Sequence, residues 1–251
     1  MSLRHARGKV VLGYPVGGSV TLAFHASCLK LLGYELQKGD RRLLSKITHS
    51  QGLYVSDNRT LLMQRFLATD SLWLCMVDTD IEYPPTLIED LIRHAGTDKK
   101  VLVASVPLGA YPSCAFMRTE VPGVWSPVWP VPMTPIECDG IATAVALIHR
   151  EVFEKIADRG GQCAFHHAYL PQSKAGTAPR DFKFLSQGED LAFSVRAAEA
   201  GFKQWAVHIP GIRHHKTRGL SHDDEQLPMG AGSDGGVGEM VDEGADHAMA
   251  R

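Results

Sequence analysis

The chain of 251 residues is 44% hydrophobic, enough to bury one large core or two modest ones, and one main domain is expected. Its net charge of −2 hides a split, with 34 C-terminal residues from Arg218 near −6 and the preceding body near +4, which is small for a duplex-DNA binder. No run of ~18 apolar residues occurs, Met1-Ser2-Leu3-Arg4-His5 lacks a signal-peptide core, and five scattered cysteines without a Cys-x-x-Cys pair argue against both a zinc ribbon and a disulfide framework, so a cytoplasmic protein without a membrane span is expected.

In chain order, Lys9 to Tyr14 reads as a first strand, closed by Pro15 and by Gly17-Gly18. Ser19 is positioned to cap a helix running through Leu32. Strand, glycine turn and helix begin many nucleotide-binding α/β domains, because backbone N–H groups approach a ligand where side chains are absent; a tight turn with no ligand reads equally well. The spacing of Leu61, Leu62, Phe66 and Leu67 predicts a second helix over 56–69, with Asp57, Asn58 and Arg59 near its start.

Leu72 to Val77 is an unbroken apolar run that ends in Asp78-Thr79-Asp80 and is followed by Pro84-Pro85. Such a run reads as a strand buried on both faces. Two carboxylates two apart on extended backbone point the same way, and their mutual repulsion invites a cation. Oxygen ligation suits Mg²⁺ or Mn²⁺. The plainer alternative has one aspartate capping the turn and the other solvated.

A third helix over 86–94 and a strand over 101–106 follow. From Pro107 to Pro135 the prolines, Trp125 and Trp129 predict a β-rich or irregular insertion. Asp139-Gly140 and the small residues after them lead into a strand over 145–148, where glycine would let a substrate lie close to backbone. A helix over 151–157 and a polar loop over 166–182 come next. Glu189-Asp190 opens another helix, where acidic residues are favoured by the helix dipole whatever their function. A last strand spans 204–208, and Arg213-His214-His215-Lys216-Thr217 closes the body. Strands alternating with helices predict an α/β fold with a mostly parallel sheet, whose ligands gather at the carboxyl ends of the strands. Residues 218–251, with seven glycines and eight acidic residues, are expected to be a disordered tail outside a domain spanning 1–217.

The order of these blocks resembles that of GT-A fold (Rossmann-like) nucleotide-sugar glycosyltransferases, particularly the family 2-like enzymes of bacteria and phages. The resemblance runs over about residues 9 to 217. It implies that Asp78 and Thr79 belong to the donor site and that Asp80 binds Mn²⁺ or Mg²⁺, Asp78 standing at the ribose or behind the metal. It also implies that His214 or His215 completes the coordination, and that Asp190, or else Glu189, is the base of an inverting transfer. Pro15, Gly17, Asn58, Arg59, Asp139 and Gly140 are the further expected contacts to the nucleotide sugar. A UDP-sugar is the favoured donor and a GDP-sugar the alternative, since no acidic residue after the first strand stands ready to read a uracil. The expected acceptor is a hydroxyl of a carbohydrate or small molecule, ahead of a modified nucleic-acid base. No Gln-x-x-Arg-Trp motif is present, which argues against a processive synthase. A catalytically silent nucleotide-sugar binder is the competing reading; a haloacid-dehalogenase-type phosphatase, in which Gly-Thr would replace Ile81-Glu82, is a weaker one.

Overall fold

A computed structural model describes residues 5–6, 8–52, 54–107, 114–119, 125–159, 163–166, 168–171 and 184–215. Contacts divide the chain into 1–216 and 217–251, and the second unit, with the predicted tail, lies outside the described residues. The first unit is an α/β domain. Its elements are β1 (Val10–Val16), α1 (Leu22–Gln37), β2 (Leu44–Gln51), α2 (Val55–Leu67), β3 (Trp73–Val77), β4 (Ile81–Glu82), α3 (Leu87–His94), β5 (Val101–Ala104), β6 (Ala115–Arg118) and β7 (Trp125–Pro127). They continue with β8 (Ile136–Cys138), β9 (Gly140–Ile141), β10 (Val145–His149), α4 (Arg150–Asp158), β11 (Ala168–Pro171), β12 (Phe184–Gln187), α5 (Glu189–Glu199), β13 (Gln204–Val207) and β14 (Arg213–His214).

Seven strands form the central sheet in the order β2-β1-β3-β10-β5-β13-β8. β2, β1, β3, β5 and β13 run one way; β10, between β3 and β5, and β8, at the edge, run the other. The sheet is therefore mostly parallel and flanked by helices, consistent with a GT-A-like fold. The side-chain period of two makes both faces apolar. On β3, Trp73, Cys75 and Val77 join Phe24 and Leu31 of α1 and Leu87 and Leu91 of α3 on one face. Leu74 and Met76 join Leu62 and Phe66 of α2, Phe153 of α4 and Phe193 of α5 on the other.

Several boundaries differ from those read in the sequence. The cap of α1 is Thr21 rather than Ser19, its hydroxyl accepting from the Phe24 N–H at 3.2 Å, and the helix runs on to Gln37. β2 was not foreseen. It is an edge strand on which only Leu44 and Ser50 are buried, so it shows no apolar run. The insertion contributes β6 and β7, which with β9 make a three-stranded sheet. β11 begins within the expected 166–182 loop and pairs antiparallel with β12, while residues 172–183 lie outside the described set. Among the described residues no helix is long and apolar enough to cross a membrane.

Candidate active site

The backbone after β3 leaves the extended conformation at once. Asp78 donates its N–H to the Ala144 carbonyl at 2.9 Å, and the Ile81 N–H closes a turn on the Asp78 carbonyl at 3.2 Å. Asp78 and Asp80 consequently do not share a direction, as an extended strand would require. Both oxygens of Asp78 accept from Arg59 Nη2, at 3.0 and 3.2 Å, whereas Asp80 Oδ2 lies 2.9 Å from His214 Nε2.

Arg59 is the hub of one half of the site. The buried face of α2 carries Ser56, Arg59, Leu62 and Phe66; the last two anchor the helix on the sheet and carry the guanidinium inward with them. Its Nη1 donates to Glu189 Oε1 at 2.6 Å and to Asp190 Oδ1 at 2.8 Å. Burial alone would lower the affinity of this group for its proton, but Asp190, Asp78 and Glu189 overcome that and raise its pKa. The second donor to Asp190 Oδ1 is the hydroxyl of Thr143, itself fully buried. Asp190 Oδ2 makes no hydrogen bond among the described residues. Burial raises the Asp78 carboxyl to about 6: Arg59 opposes the rise, and Asp190 and Asp80 add to it.

One guanidinium thus stands among three carboxylates, leaving a local excess of negative charge. Asp80 and His214 form the other half of the site. The ladder between β4 and β14 sets His214 opposite Ile81, and the His215 N–H donates to the Asp80 carbonyl at 2.8 Å, which fixes the register. The His214 Nδ1 sits 2.8 Å from the Pro107 carbonyl, an acceptor only, so Nδ1 carries a proton. Nε2 lies against Asp80 Oδ2 at 2.9 Å, where an imidazolium donates to the carboxylate and a neutral ring presents a lone pair that a cation could share with it. A histidine that donates its other nitrogen to a backbone carbonyl is oriented in the way metal-bound imidazoles commonly are. Among the described residues no three His, Cys, Asp or Glu side chains are grouped to hold a metal. Asp80 and His214 are the two groups that could contribute to holding one.

The remaining predicted residues have contacts of their own. His215 pairs with Glu82 at 2.8 Å, away from Asp80. Thr79 is buried, its hydroxyl donating to the Ser19 carbonyl at 3.3 Å and its own carbonyl accepting the Thr21 N–H at 3.1 Å, so it ties the glycine turn to the Asp78 loop. Asn58 is fully buried and clamps the end of β1 by donating to the Val16 carbonyl at 3.1 Å. Pro15 is a buried residue of β1, and Gly17 lies in the exposed turn with open space above it. Asp139 accepts the Arg118 N–H at 2.9 Å within the three-stranded sheet. Gly140 is covered by protein: an added Cβ would meet the Trp125 ring at 2.6 Å and Leu191 at 2.9 Å, so its missing side chain makes room for packing and not for a substrate.

No protein-family model and no curated protein matches the chain. Among solved structures it is similar to A197 from STIV, with 16% identity, 80% of this chain and 82% of that one covered, and a TM-score of 0.46. It is also similar to a glycosyltransferase involved in the glycosylation of the major capsid of PBCV-1, with 14% identity, 58% of this chain covered and a TM-score of 0.36. The match spans 61% of that second protein, less than two thirds of its length. At these identities neither likeness bears on substrate.

Proposed function

We propose that this chain is a divalent-metal-dependent glycosyltransferase that moves a sugar from a nucleoside-diphosphate donor to a hydroxyl acceptor with inversion at the anomeric carbon. The observation that carries the reading is the contact of the Asp80 carboxylate with the His214 Nε2, a carboxylate and an imidazole that could share a cation, beside a surplus of carboxylates at the carboxyl end of β3. Mn²⁺ or Mg²⁺ bound there would neutralise the charge that develops on the departing diphosphate.

The chain's own part is to orient the acceptor and take its proton. Arg59 and Thr143 both bond Oδ1 of Asp190 and fix the carboxylate, leaving Oδ2 as the proton acceptor. The acceptor hydroxyl gives its proton to Oδ2 as its oxygen bonds to the anomeric carbon. The bond from that carbon to the phosphate oxygen breaks on the opposite face, and its electron pair leaves with the diphosphate. Glu189, half as exposed as Asp190, is the less accessible of the two carboxylates and supports Arg59. A UDP-sugar is the favoured donor, with a GDP-sugar as the alternative, and a carbohydrate or small hydroxyl compound the favoured acceptor.

Calorimetric titration with UDP and with GDP, each with and without Mn²⁺, tests the assignment. Metal-dependent binding is expected for one of them, and Asp80→Ala is expected to abolish it with the fold unchanged by circular dichroism. Undiminished metal-dependent affinity in Asp80→Ala would refute it.

A further inference from the structure

At the other end of the central sheet a cleft of about 530 Å³ opens among Trp73, Arg93, His94, Lys99, Lys100 and His149, with residues 95–98 completing its wall. Trp73 is the first residue of β3 and His149 lies opposite it at the end of the antiparallel β10, whereas Asp78 follows the last residue of β3. The five residues of β3 therefore separate the cleft from the carboxylates, by roughly 16 Å at ~3.3 Å per residue.

The chemistry of the lining is one-sided. The Trp73 indole is 1% exposed, and its N–H has no hydrogen-bond partner among the described residues. An indole offers a donor and no acceptor, and a buried donor without a partner is a costly arrangement that a ligand's oxygen would relieve. His149 packs edge-on to that ring, with centroids 4.8 Å apart, and its Nδ1 accepts the Glu151 N–H at 3.3 Å. The neutral imidazole must then carry its proton on Nε2, a second donor. Burial and the neighbouring Lys100 both favour that neutral form by lowering the His149 pKa. The two lysines are held in place by ring contacts, Lys99 Nζ lying 4.7 Å from the Trp205 centroid and Lys100 Nζ 5.8 Å from that of Phe202. Lys99 pairs with Asp98, the one acidic residue in the lining, and Lys100 with Glu151. Arg93, likewise paired with carboxylates, is 57% exposed, the most of the three cations, and is left out of the recognition set.

We propose that this cleft binds a phosphorylated small molecule, its oxyanion taking the N–H donors of Trp73 and His149 under the charge of Lys99 and Lys100. Donors and cations together select an oxyanion, and a volume within the usual range for small-molecule sites leaves room for an organic body beyond the phosphate. The occupant is distinct from the sugar donor, because the site lies at the opposite end of β3, and the inference does not depend on the transfer reaction proposed above.

AMP serves as the probe and inorganic phosphate as the comparison, both with EDTA present and in an Asp80→Ala background so that the carboxylate site is silent. AMP is expected to move the Trp73 indole N–H resonance downfield in a saturable manner at millimolar concentration or below, with inorganic phosphate weaker. By equilibrium dialysis, Trp73→Phe and the more exposed Lys99→Gln should each weaken AMP binding about tenfold. Lys99→Gln keeps the test valid if the core substitution fails to fold. The proposal is overturned if the Trp73 resonance does not respond up to about 10 mM, if the response is confined to other tryptophans, or if dialysis affinity is unchanged in a folded Lys99→Gln protein.

Discussion

Arg59 and Asp190 divide the work of the carboxylate cluster into positioning and chemistry, and substitutions separate the two. Asp190→Asn keeps the hydrogen bonds that Oδ1 accepts but loses the basic oxygen, so turnover is expected to fall roughly 10²- to 10⁴-fold with donor affinity little changed. Proton NMR of the product should show a β-linkage formed from an α-configured donor; an α-linked product, or an Asp190→Asn protein at full rate, would defeat the mechanism. Arg59→Leu leaves Asp78, Glu189 and Asp190 facing one another without their shared cation. Removing one partner of such a buried pair costs ~3–5 kcal/mol, so the Leu variant should melt well below the parent, and an unchanged melting temperature would show that the hub is dispensable. The position of Arg59 was legible in the sequence in one respect, since it lies three residues before Leu62 and seven before Phe66 and so shares their face of α2. What the sequence did not carry was its partners, because Glu189 and Asp190 are 130 and 131 residues away. Thr143 gave no signal beyond being a small polar residue ahead of an apolar strand.

The elements that declared themselves are those whose environment is uniform along their length. β3 and β10 lie inside the sheet and read as unbroken apolar runs, while β2, at its edge, is mostly exposed and polar with neither an apolar run nor an alternation to mark it. The turn after β3 also escaped, because no residue pattern distinguishes an aspartate pair on extended backbone from one split by a turn. Packing between elements yields two predictions. Gly140→Ala should cost ~1–3 kcal/mol by forcing the Trp125 ring or Leu191 aside, measurable by urea unfolding; a neutral effect would mean that these neighbours yield freely. The joint between α1 and α3 is electrostatic. Glu89 accepts from Tyr34 Oη at 2.8 Å and lies 2.7 Å from Lys38 Nζ, just beyond the end of α1. Lys38 lowers the Glu89 pKa, burial opposing it and Tyr34 assisting. A lowered folded-state pKa gives stability that is present above the ordinary carboxylate range and is lost as pH falls through the lowered value. Glu89→Gln should therefore be less stable than the parent by roughly 1–3 kcal/mol near neutral pH, and the two melting curves should converge in acid. A gap that persists once the pH is well below the lowered value would show that the loss is steric and not ionic.

At the scale of the whole molecule, the near-neutral overall charge bears on the acceptor. With a carbohydrate acceptor, turnover should change little between low and moderate salt, whereas a nucleic-acid acceptor held through many phosphates would lose ~10³-fold or more over that range. The position of β10 has a consequence for how the molecule comes into being. In space it lies between β3 and β5, but in the chain it follows both, by 68 and 41 residues at its first position, so a growing polypeptide presents two apolar strands with a vacant place between them. Each of those strands then offers an unpaired edge until the intervening segment has been made. Pairings of such sequence separation form late and slowly, and edges left open in the meantime invite association with other chains. A chain ending before Gly140 is accordingly expected to aggregate and to show no amide protection in β3, even though every residue of β1, β2, β3 and β5 is present. Protected β3 amides in a soluble fragment of that length would show that the two halves of the sheet close without their late-arriving centre.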